Sequence, residues 1–279
     1  MSEPFIKAEQ KYFKLSPFAD KDPRITAGFT SREGGTSGTH FNSLNMGYHV
    51  RDDEEKVTAN RDQLAGEIGF GLPSWCGAEQ THGTNILKVT KEHAGMGADS
   101  YISAIKDTDG FYTDQEGLLL TMCFADCVPL YFLAPERGMA GIAHAGWKGT
   151  TGGIGSKMAE RWGKEGILPS EIFAAIGPSI CKSCYIVDDR VINFAKNRLE
   201  EADKKPYNQI KEGQYELDLK ELNSIILQKA GIPADNIYVS SMCTSCHSSF
   251  FSHRKDRGKT GRMMGFIGWK EEASREGSR

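Results

Sequence analysis

The sequence predicts a single domain in which α-helices and β-strands are mixed along the chain. Its 279 residues, 39% of them hydrophobic, are enough to bury a large core. Apolar runs of strand length lie before, between and after segments with helical periodicity, and no stretch has the composition of a linker. We therefore expect one domain over residues 1–279, with peripheral tails at 1–20 and 270–279.

Up to residue 145, the apolar residues predict one helix and four strands. The helix covers 53–68, where Val57, Leu64 and Ile68 recur at helical spacing behind an acidic first turn. The strands are predicted at 85–90, 117–124, 128–134 and 139–145. The second and third are apolar at almost every position, so both of their faces should be buried. "PERG", at 135–138, is typical of a tight turn between the last two strands.

Three further helices are predicted in the rest of the chain. One helix lies within 150–166, after a Gly-rich segment, and two more are predicted at 188–205 and 218–231. A polar loop at 30–47, rich in Gly, Ser, Thr and Asn, is too long for a simple turn, and ordered loops of this kind are often functional.

Composition and charge argue against several classes of partner. The formal net charge of −3 gives no general attraction to nucleic acid or to an anionic membrane. The longest apolar run, 118–134, is interrupted by Asp126 and Pro129, so it does not resemble a membrane span. Seven cysteines without a visible secretion signal favour free thiols or a metal site in a reducing cytoplasm. We expect a cytoplasmic, monomeric protein without nucleic-acid or membrane partners.

The predicted hairpin brings a cysteine and a histidine together. If the chain reverses at 135–136, Cys127 lies directly opposite His144, with Cβ atoms about 4.5–5.5 Å apart. A turn centred one residue later makes them diagonal neighbours, about 7–8 Å apart. Either register leaves both within reach of one metal ion or of each other. The alternative, a buried small thiol and an ordinary core histidine, stays open at this point.

A third candidate, His82, lies upstream in "EQTHGTN" (79–85). Two histidines and one cysteine with a fourth position left for water form the type of ligand set that catalytic zinc uses. Spacing alone does not bring His82 to the hairpin. Asp126, beside Cys127, is either an acceptor that orients a metal ligand or a structural turn residue.

Two C-x₂-C pairs raise the question of a second metal. Cys181 with Cys184, and Cys243 with Cys246, supply ligands enough for a structural Cys₄ zinc site. The interval between the pairs holds two predicted helices and is much longer than the spacing of a zinc ribbon. Free, partly buried thiols are therefore favoured, and a second metal site stays open.

Taken together, these segments resemble one family, the YfiH-like proteins, described variously as polyphenol laccases, purine nucleoside phosphorylases and peptidoglycan editing factors. They follow in the family's order from about residue 24 to residue 267. The matching segments are "TSREGGTSGTHFNSLNMGYHVRDD" (30–53), "NR" (60–61), "EQTHGTN", "ADCVPLYF" (125–132), "AHAGWKGT" (143–150), "AIGPSICKSCYIV" (175–187) and "CTSCHSSFFSHRKDRGKTGR" (243–262).

The resemblance implies an α+β fold with mixed β-sheets between helical layers, similar to a cysteine-hydrolase-like toxin domain. It implies a catalytic zinc ion held by His82, Cys127 and His144. The implied activity is phosphorolysis of purine nucleosides (adenosine, inosine, guanosine and methylthioadenosine) to the base and ribose 1-phosphate, together with deamination of adenosine. The deaminase pattern H-x-E with P-C-x-x-C is absent, so any deamination would use a different set of residues.

Within this resemblance, the part of the polar loop around Gly34 and Gly35, here called the Gly-rich loop, is a candidate phosphate site. Backbone amides around Gly34 and Gly35 and the Arg32 guanidinium could cradle an anion; the alternative is a surface turn. The further candidates for contact with substrate or phosphate are His49, Arg61, Lys148 and Arg254. The chain departs from the family pattern at Lys148, where Arg is common, and at His253, where Tyr is common. Both changes touch the expected pocket and could alter its preference, since Lys does not replace a bidentate Arg.

Two rival chemistries are weighed against phosphorolysis. A multicopper laccase needs many histidine ligands, and seven histidines without a His-x-His pair do not furnish four coppers, although copper could replace zinc at one His/Cys/His site. A cysteine hydrolase acting in peptidoglycan editing would use Cys127 as nucleophile and His144 as base. The same two residues serve both schemes, so the sequence leaves this choice open.

Overall fold

Strands dominate the structure, a computed structural model in which residues 2–271 are described. In chain order, the strands are β1 (Phe5–Lys7), β2 (Tyr12–Leu15), β3 (Ile25–Thr30), β4 (Trp75–Gly77), β5 (Ile86–Lys88), β6 (Gly110–Thr113), β7 (Leu119–Phe124), β8 (Val128–Ala134), β9 (Met139–Ala145), β10 (Phe173–Ile176), β11 (Ile186–Val187), β12 (Tyr207–Lys211), β13 (Gln214–Leu217), β14 (Ile237–Val239) and β15 (Met263–Trp269). The α-helices are α1 (Ser16–Lys21), α2 (Glu54–Ile68), α3 (Trp147–Thr151), α4 (Ile154–Lys164), α5 (Asp189–Lys196) and α6 (Leu219–Lys229).

The strands form two large mixed sheets and one small sheet. The first large sheet has the order β1-β2-β3-β15-β7-β4, and the second has the order β14-β10-β8-β9-β6-β5. The small sheet, β11-β13-β12, is antiparallel. Each large sheet combines antiparallel pairs with parallel ones, such as β4 with β7 and β5 with β6.

The two large sheets pack face to face, with helices on their outer surfaces. Alternate residues of β7 and β8, such as Met122 and Tyr131, share the core between the sheets. The intervening residues of β8, such as Phe132, pack instead against helices α4, α5 and α6. Helix α2 covers the outer face of the first sheet. The resulting order is helix, sheet, sheet, helices, which confirms the predicted α+β fold with mixed sheets between helical layers.

The strongest patterns in the sequence correspond closely to elements of the fold. Helix α2 begins after Asp53, whose carboxylate caps the helix by accepting from the backbone of Glu55. Strands β8 and β9 have the predicted bounds, and Gly138 closes their turn in the left-handed conformation, φ 60°. Helix α6 begins after a similar cap at Asp218. These matches show that a helix with a periodic apolar face, or a strand buried on both faces, can be located from the sequence.

Residues 2–20 are not the peripheral tail that was expected. They form β1, β2 and most of α1, and β2 pairs with β3 in the first sheet. Phe5, Phe13 and Phe18 in this segment are almost fully buried. The segment belongs to the core because these apolar side chains fill the sheet edge. The second expected tail, 270–279, lies outside the described residues from 272 onward.

The helix predicted at 188–205 is shorter than expected. Helix α5 ends at Lys196, and the following residues turn back over the helical layer. There the Arg198 guanidinium donates to the main-chain carbonyl of Thr151, which fixes the turn. Among the helices of residues 2–271, none has the length and apolar character needed to cross a membrane.

Candidate active site

Three segments bring His82, Cys127 and His144 together at one end of the sheet sandwich. Cys127 directly precedes β8, and His144 lies near the end of β9 on the face between the two sheets. His82 lies on the loop after β4, in a left-handed conformation with φ 62°. This conformation, uncommon for a residue other than glycine, belongs to a tight turn that presents the imidazole to the hairpin.

The hairpin adopts the second of the two predicted registers. Pro129, not Cys127, pairs directly with His144, so Cys127 is the diagonal neighbour of the histidine. Gly138 causes this shift, because it places the centre of the turn one residue later. The cysteine and the histidine still converge, because both project from the same end of the hairpin.

The three side chains form a compact set of possible ligands. One ligand atom from each, the Cys127 sulfur and one nitrogen of each imidazole, lies within 4.8 Å of the other two. The rings of His82 and His144 meet edge to face at 4.8 Å between centroids. Gly146 makes room for them: a Cβ there would lie 2.9 Å from the Cys127 sulfur. This position therefore requires glycine for the cluster to close.

Asp109, which directly precedes β6, organises both histidines. Its fully buried carboxylate accepts a hydrogen bond from Nδ1 of His144 at 2.8 Å. It also accepts from the backbone amides of Thr81, His82 and Gly83, which fixes the turn around His82. Because Nδ1 of His144 faces Asp109, Nε2 is left for a metal ion. A carboxylate behind a ligating imidazole is the usual arrangement at protein metal sites.

The electrostatics of the cluster favour a thiolate. Burial opposes ionisation of Cys127, but the imidazoles of His144 and His82 outweigh it and lower the thiol's pKa to about 6. Burial likewise opposes a charge on His144, yet Cys127 and Asp109 raise its pKa to about 9. Hydrogen bonds from His144 and the neighbouring amides hold the pKa of Asp109 below its ordinary value despite burial. Without a bound metal ion, the site thus pairs an anionic sulfur with a protonated imidazole.

These residues fit a metal ion on three grounds. The donor set is one thiolate and two imidazoles, the ligands that zinc and copper accept. The carboxylate of Asp109 holds one imidazole in the orientation for ligation. The cluster also borders a cavity, so that a fourth position can face a substrate or water. The structure thus contains a possible metal-binding site at His82, Cys127 and His144.

The cavity beside the cluster has a volume of about 440 Å³, within the range of small-molecule sites. Its walls carry aromatic rings, among them Tyr101, Trp147 and Tyr185. Two guanidinium groups, those of Arg254 and Arg262, line the same cavity. Flat aromatic surfaces and cations next to a possible metal suit a ligand with a heterocyclic and an anionic part.

Neither guanidinium is neutralised by the contacts it makes within the described residues. Arg254 donates to the carbonyl oxygen of Ile186. Arg262 donates to the carbonyl oxygens of Thr260 and Gly261. Because these acceptors carry no net charge, neither guanidinium forms a salt bridge among the described residues, although Cys127 and Asp126 attract Arg262 electrostatically. Both arginines can therefore contact an anion in the cavity.

The structure places some of the predicted substrate contacts in the cavity wall and others away from it. His49 and Arg254 line the cavity, as does His253, the position that departs from the family pattern. Desolvation and the nearby Arg262 lower the pKa of His49 to about 4, so its imidazole is neutral at pH 7. Lys148, on α3, is exposed and is not among the residues that line the cavity.

The Gly-rich loop lies away from this cavity. Arg32 stacks on Phe251 and borders a separate, shallower cleft. Gly35 packs against the main chain, where a Cβ would come within 2.3 Å of the Ser43 carbonyl oxygen. Neither Gly34 nor Gly35 lines the main cavity. A phosphate bound by this loop would therefore lie outside the main cavity.

Arg61, another predicted contact with substrate or phosphate, is buried and bound to the main chain. It is 4% exposed, and its guanidinium donates to the main-chain carbonyls of Met46, Gly97 and Ala98. All of its nitrogen atoms are engaged in tying the polar loop to the segment after β5. These contacts give Arg61 a structural role, and it is not among the residues that line the main cavity.

Asp126 has a structural role as well. Its carboxylate accepts from the Thr244 hydroxyl and from the backbone amide of Arg254, and within the described residues it forms no hydrogen bond with a histidine of the cluster. Its φ of 83° places it in a tight turn. Of the two roles considered for Asp126, these contacts favour the turn residue.

Several residues of the site went unpredicted. Asp109 stands in "KDTDGFY" with no spacing that distinguishes it from other surface acids. Arg262 ends a segment with many basic residues, and periodicity does not separate it from them. Tyr101 comes from a loop without a recognisable motif, and Tyr185 follows the first C-x₂-C pair without any sign in the sequence that it faces the cavity. A cavity built from loops of distant segments leaves little periodic signal in the sequence.

Comparisons with known proteins connect the site to a named family. Residues 26–270 match the family described as multi-copper polyphenol oxidoreductase laccase. The purine nucleoside phosphorylase YlmD of Geobacillus stearothermophilus is 51% identical over 258 residues, which are 92% of this chain and 93% of the relative. The crystal structure of YlmD from that organism matches with a TM-score of 0.94 and 47% identity, covering 97% and 100% of the two chains. That of the Bacillus licheniformis hypothetical protein YfiH matches with a TM-score of 0.93 and 48% identity, covering 96% and 100%.

Proposed function

We propose that this chain, which belongs to the family described as multi-copper polyphenol oxidoreductase laccase, is a purine nucleoside phosphorylase. The observation that carries the proposal is one cavity that joins the His82–Cys127–His144 cluster to two guanidinium groups and several aromatic walls. The name of the Geobacillus relative, purine nucleoside phosphorylase YlmD, supports the same activity. The proposed substrates are adenosine, inosine, guanosine and methylthioadenosine, together with inorganic phosphate.

Phosphorolysis places three demands on the cavity. A phosphate oxygen attacks C1′ of the ribose, the bond from C1′ to the purine nitrogen breaks, and a proton reaches the departing base. The site has to hold an anion, stabilise negative charge on the purine, and keep water away from C1′. The products are the free base and ribose 1-phosphate.

The side chains of the cavity can be assigned to these demands. Arg254 and Arg262 hold the phosphate and orient it towards the ribose. The aromatic rings of Tyr101, Trp147 and Tyr185 provide surfaces against which the purine lies. His49, which is neutral, can exchange a hydrogen bond with the base or the ribose.

The proposed cofactor is one zinc ion at His82, Cys127 and His144. Zinc would supply a Lewis acid with an open position for an oxygen or nitrogen of the substrate. The cluster contains two histidines, and multicopper oxidase centres require many more. Copper at this one site, with polyphenol oxidation, is therefore the weaker proposal. We extend the zinc proposal to the deamination of adenosine, which needs an activated water at the same place.

Product analysis with adenosine tests the proposal. Purified protein should release adenine and ribose 1-phosphate only when phosphate is present. If inosine forms without adenine, the main activity is deamination and not phosphorolysis. If neither product appears with metal-loaded protein, the proposed function is wrong.

A cysteine hydrolase is the second candidate, because Cys127 and His144 have the pKa values expected of a thiolate–imidazolium pair. Replacement of Cys127 by Ala separates the two schemes. We expect Cys127→Ala to lose metal at the cavity and activity together, as measured by metal analysis and product formation. A variant that keeps this metal but loses all activity would favour the nucleophile.

A further inference from the structure

Four cysteines converge behind one wall of the cavity, apart from the site described above. Cys181 and Cys184 follow β10, and Cys243 and Cys246 follow β14. These strands are parallel neighbours, so their carboxyl ends meet at the same edge of the sheet. A parallel bridge between Ser179 and Cys243 holds the two loops in register. The long interval in sequence between the two C-x₂-C pairs is therefore closed by the sheet.

The four sulfur atoms have the spacing of ligands to one ion. All lie within 4.8 Å of one another. The Cys246 sulfur is 3.4 Å from that of Cys184 and 4.0 Å from that of Cys181. Around tetrahedral zinc, with Zn–S bonds of about 2.3 Å, neighbouring sulfur atoms lie about 3.8 Å apart. The observed distances bracket this value.

Disulfide bonding does not account for the cluster. All seven cysteines are unpaired, and 3.4 Å is far longer than the disulfide bond of about 2.05 Å. A closed Cys₄ set in tetrahedral array is typical of zinc or of iron–sulfur centres. Since the sulfur atoms surround a space that suits a single ion, a mononuclear site fits better than a multi-iron cluster.

One backbone amide lies against a sulfur atom of the cluster. The amide of Cys181 donates to the Cys243 sulfur at 3.2 Å, which links the first C-x₂-C pair to the second. The amide of Cys184 donates to the carbonyl oxygen of Cys181 and closes the turn of the first pair. A donor to sulfur favours the anionic form that binds a metal ion.

A buried cation lies beside the cluster. Lys220 on α6 is 7% exposed and donates to the main-chain carbonyls of Ser240 and Met242, just before Cys243. Its ammonium also interacts electrostatically with Cys243 and Cys181. A zinc ion with four thiolates carries a net charge of −2, which this fixed cation would partly neutralise.

We propose that Cys181, Cys184, Cys243 and Cys246 bind a structural zinc ion, distinct from any metal in the cavity. The ion would tie together the loops that support the cavity wall. Ile180 and Tyr185, on the first loop, line the cavity. Thr244, on the second loop, donates to Asp126, next to Cys127. The zinc would thereby fix the wall against which the thiolate of the candidate active site lies.

Metal analysis in a variant without the cavity ligands tests the proposal. The double variant His82→Ala/Cys127→Ala of the full chain, purified without chelator, should retain one zinc per chain. Adding Cys184→Ser and Cys246→Ser should reduce the zinc content to zero. The result does not depend on whether the cavity binds metal or whether the chain is a phosphorylase. Absence of zinc from the double variant, or its retention in the quadruple variant, overturns the proposal.

Two measurements on the double variant do not depend on folding of the quadruple variant. X-ray absorption should give four sulfur neighbours at about 2.3 Å from zinc. Alkylation with iodoacetamide and mass mapping should find Cys246, which is exposed, protected until a chelator is added. Nitrogen or oxygen neighbours, iron in place of zinc, a disulfide, or immediate alkylation of Cys246 would each contradict a structural zinc.

Discussion

Asp109 illustrates how one buried carboxylate defines the candidate active site. Its Oδ1 accepts from His144 and from the amide of His82, and its Oδ2 accepts from the amides of Thr81 and Gly83. Because both oxygen atoms are acceptors, an amide at this position would direct an NH₂ group at one set of donors. The residue therefore positions two possible metal ligands without contacting the substrate.

We expect Asp109→Asn to weaken metal binding in the cavity by about 10–100-fold, because the imidazole of His144 loses its fixed orientation. Competition with a chromogenic chelator measures the affinity. Asp107→Asn is the matched control, since Asp107 lies on the same loop but is exposed and bonds Thr81 and Asn85. Wild-type metal affinity in Asp109→Asn would show that the carboxylate has no such role.

The position of the phosphate can be tested by comparing two arginines. Arg262 lines the cavity, whereas Arg32 borders the separate cleft beside the Gly-rich loop. A hydrogen bond to a charged group contributes about 1.5–3 kcal/mol, which is roughly 10–100-fold in affinity. We expect Arg262→Ala to raise the KM for phosphate by this factor and Arg32→Ala to change it less than about twofold. The opposite ranking would restore the Gly-rich loop as the phosphate site.

At this scale, the sequence predicts residues that stand in local motifs and misses those defined by tertiary contact. Cys127 and His144 could be paired because a short turn joins their strands. Asp109 could not be found, because it reaches His82 only when β5, β6 and β9 lie side by side. Arg61 was assigned to the pocket because the sequence does not show that three main-chain carbonyls surround it.

Among the secondary-structure elements, the β8–β9 hairpin and the turn into α3 determine whether the site closes. Gly146, between β9 and α3, lies against the ligands, and a Cβ there would be 2.9 Å from the Cys127 sulfur and 3.3 Å from His82. Real Cβ contacts are essentially never as short as 2.9 Å, so either the Cys127 sulfur or the turn has to move. The local geometry of this turn is therefore coupled directly to the metal ligands.

We expect Gly146→Ala to lower kcat/KM for nucleoside phosphorolysis on the order of 100-fold while the chain stays folded, because small displacements of reacting groups are costly. Steady-state assays and thermal unfolding measure the two effects. Gly66→Ala is the control, because nothing lies within 4 Å of its Cβ in helix α2. That change should leave activity intact and stabilise the chain by about 0.5–1 kcal/mol. Full activity in Gly146→Ala would contradict the predicted crowding.

The elements that were predicted well have their determinants nearby in sequence. Helix α2 has its own cap and periodic face, and β8 and β9 share one turn. The end of α5 depends instead on the contact of Arg198 with Thr151, on a different helix. Strand β15 is missing from the sequence prediction, although all of its residues are buried. Its hydrogen-bonding partners, β3 and β7, are distant in sequence, so no local turn marks it.

At the scale of the whole molecule, the N-terminal segment links the two large sheets. Phe5 on β1, in the first sheet, is 2% exposed, and its ring lies 5.6 Å from that of Tyr131 on β8, in the second sheet. The neighbouring Ile6 points outward and is 50% exposed. Two adjacent residues of β1 therefore differ: the side chain of Phe5 joins the layers, and that of Ile6 does not.

The contrast between Phe5 and Ile6 supplies a direct test of whether the segment belongs to the core. We expect Phe5→Ala to lower the free energy of unfolding by about 3–5 kcal/mol, because it leaves a cavity between the sheets. Ile6→Ala, on the same strand, should change it by no more than about 0.5 kcal/mol. Urea denaturation followed by tryptophan fluorescence measures both variants. Since a domain is stable by only about 5–15 kcal/mol, the first loss is a large share of the total. Equal, small effects at the two positions would mean that residues 2–20 are peripheral after all.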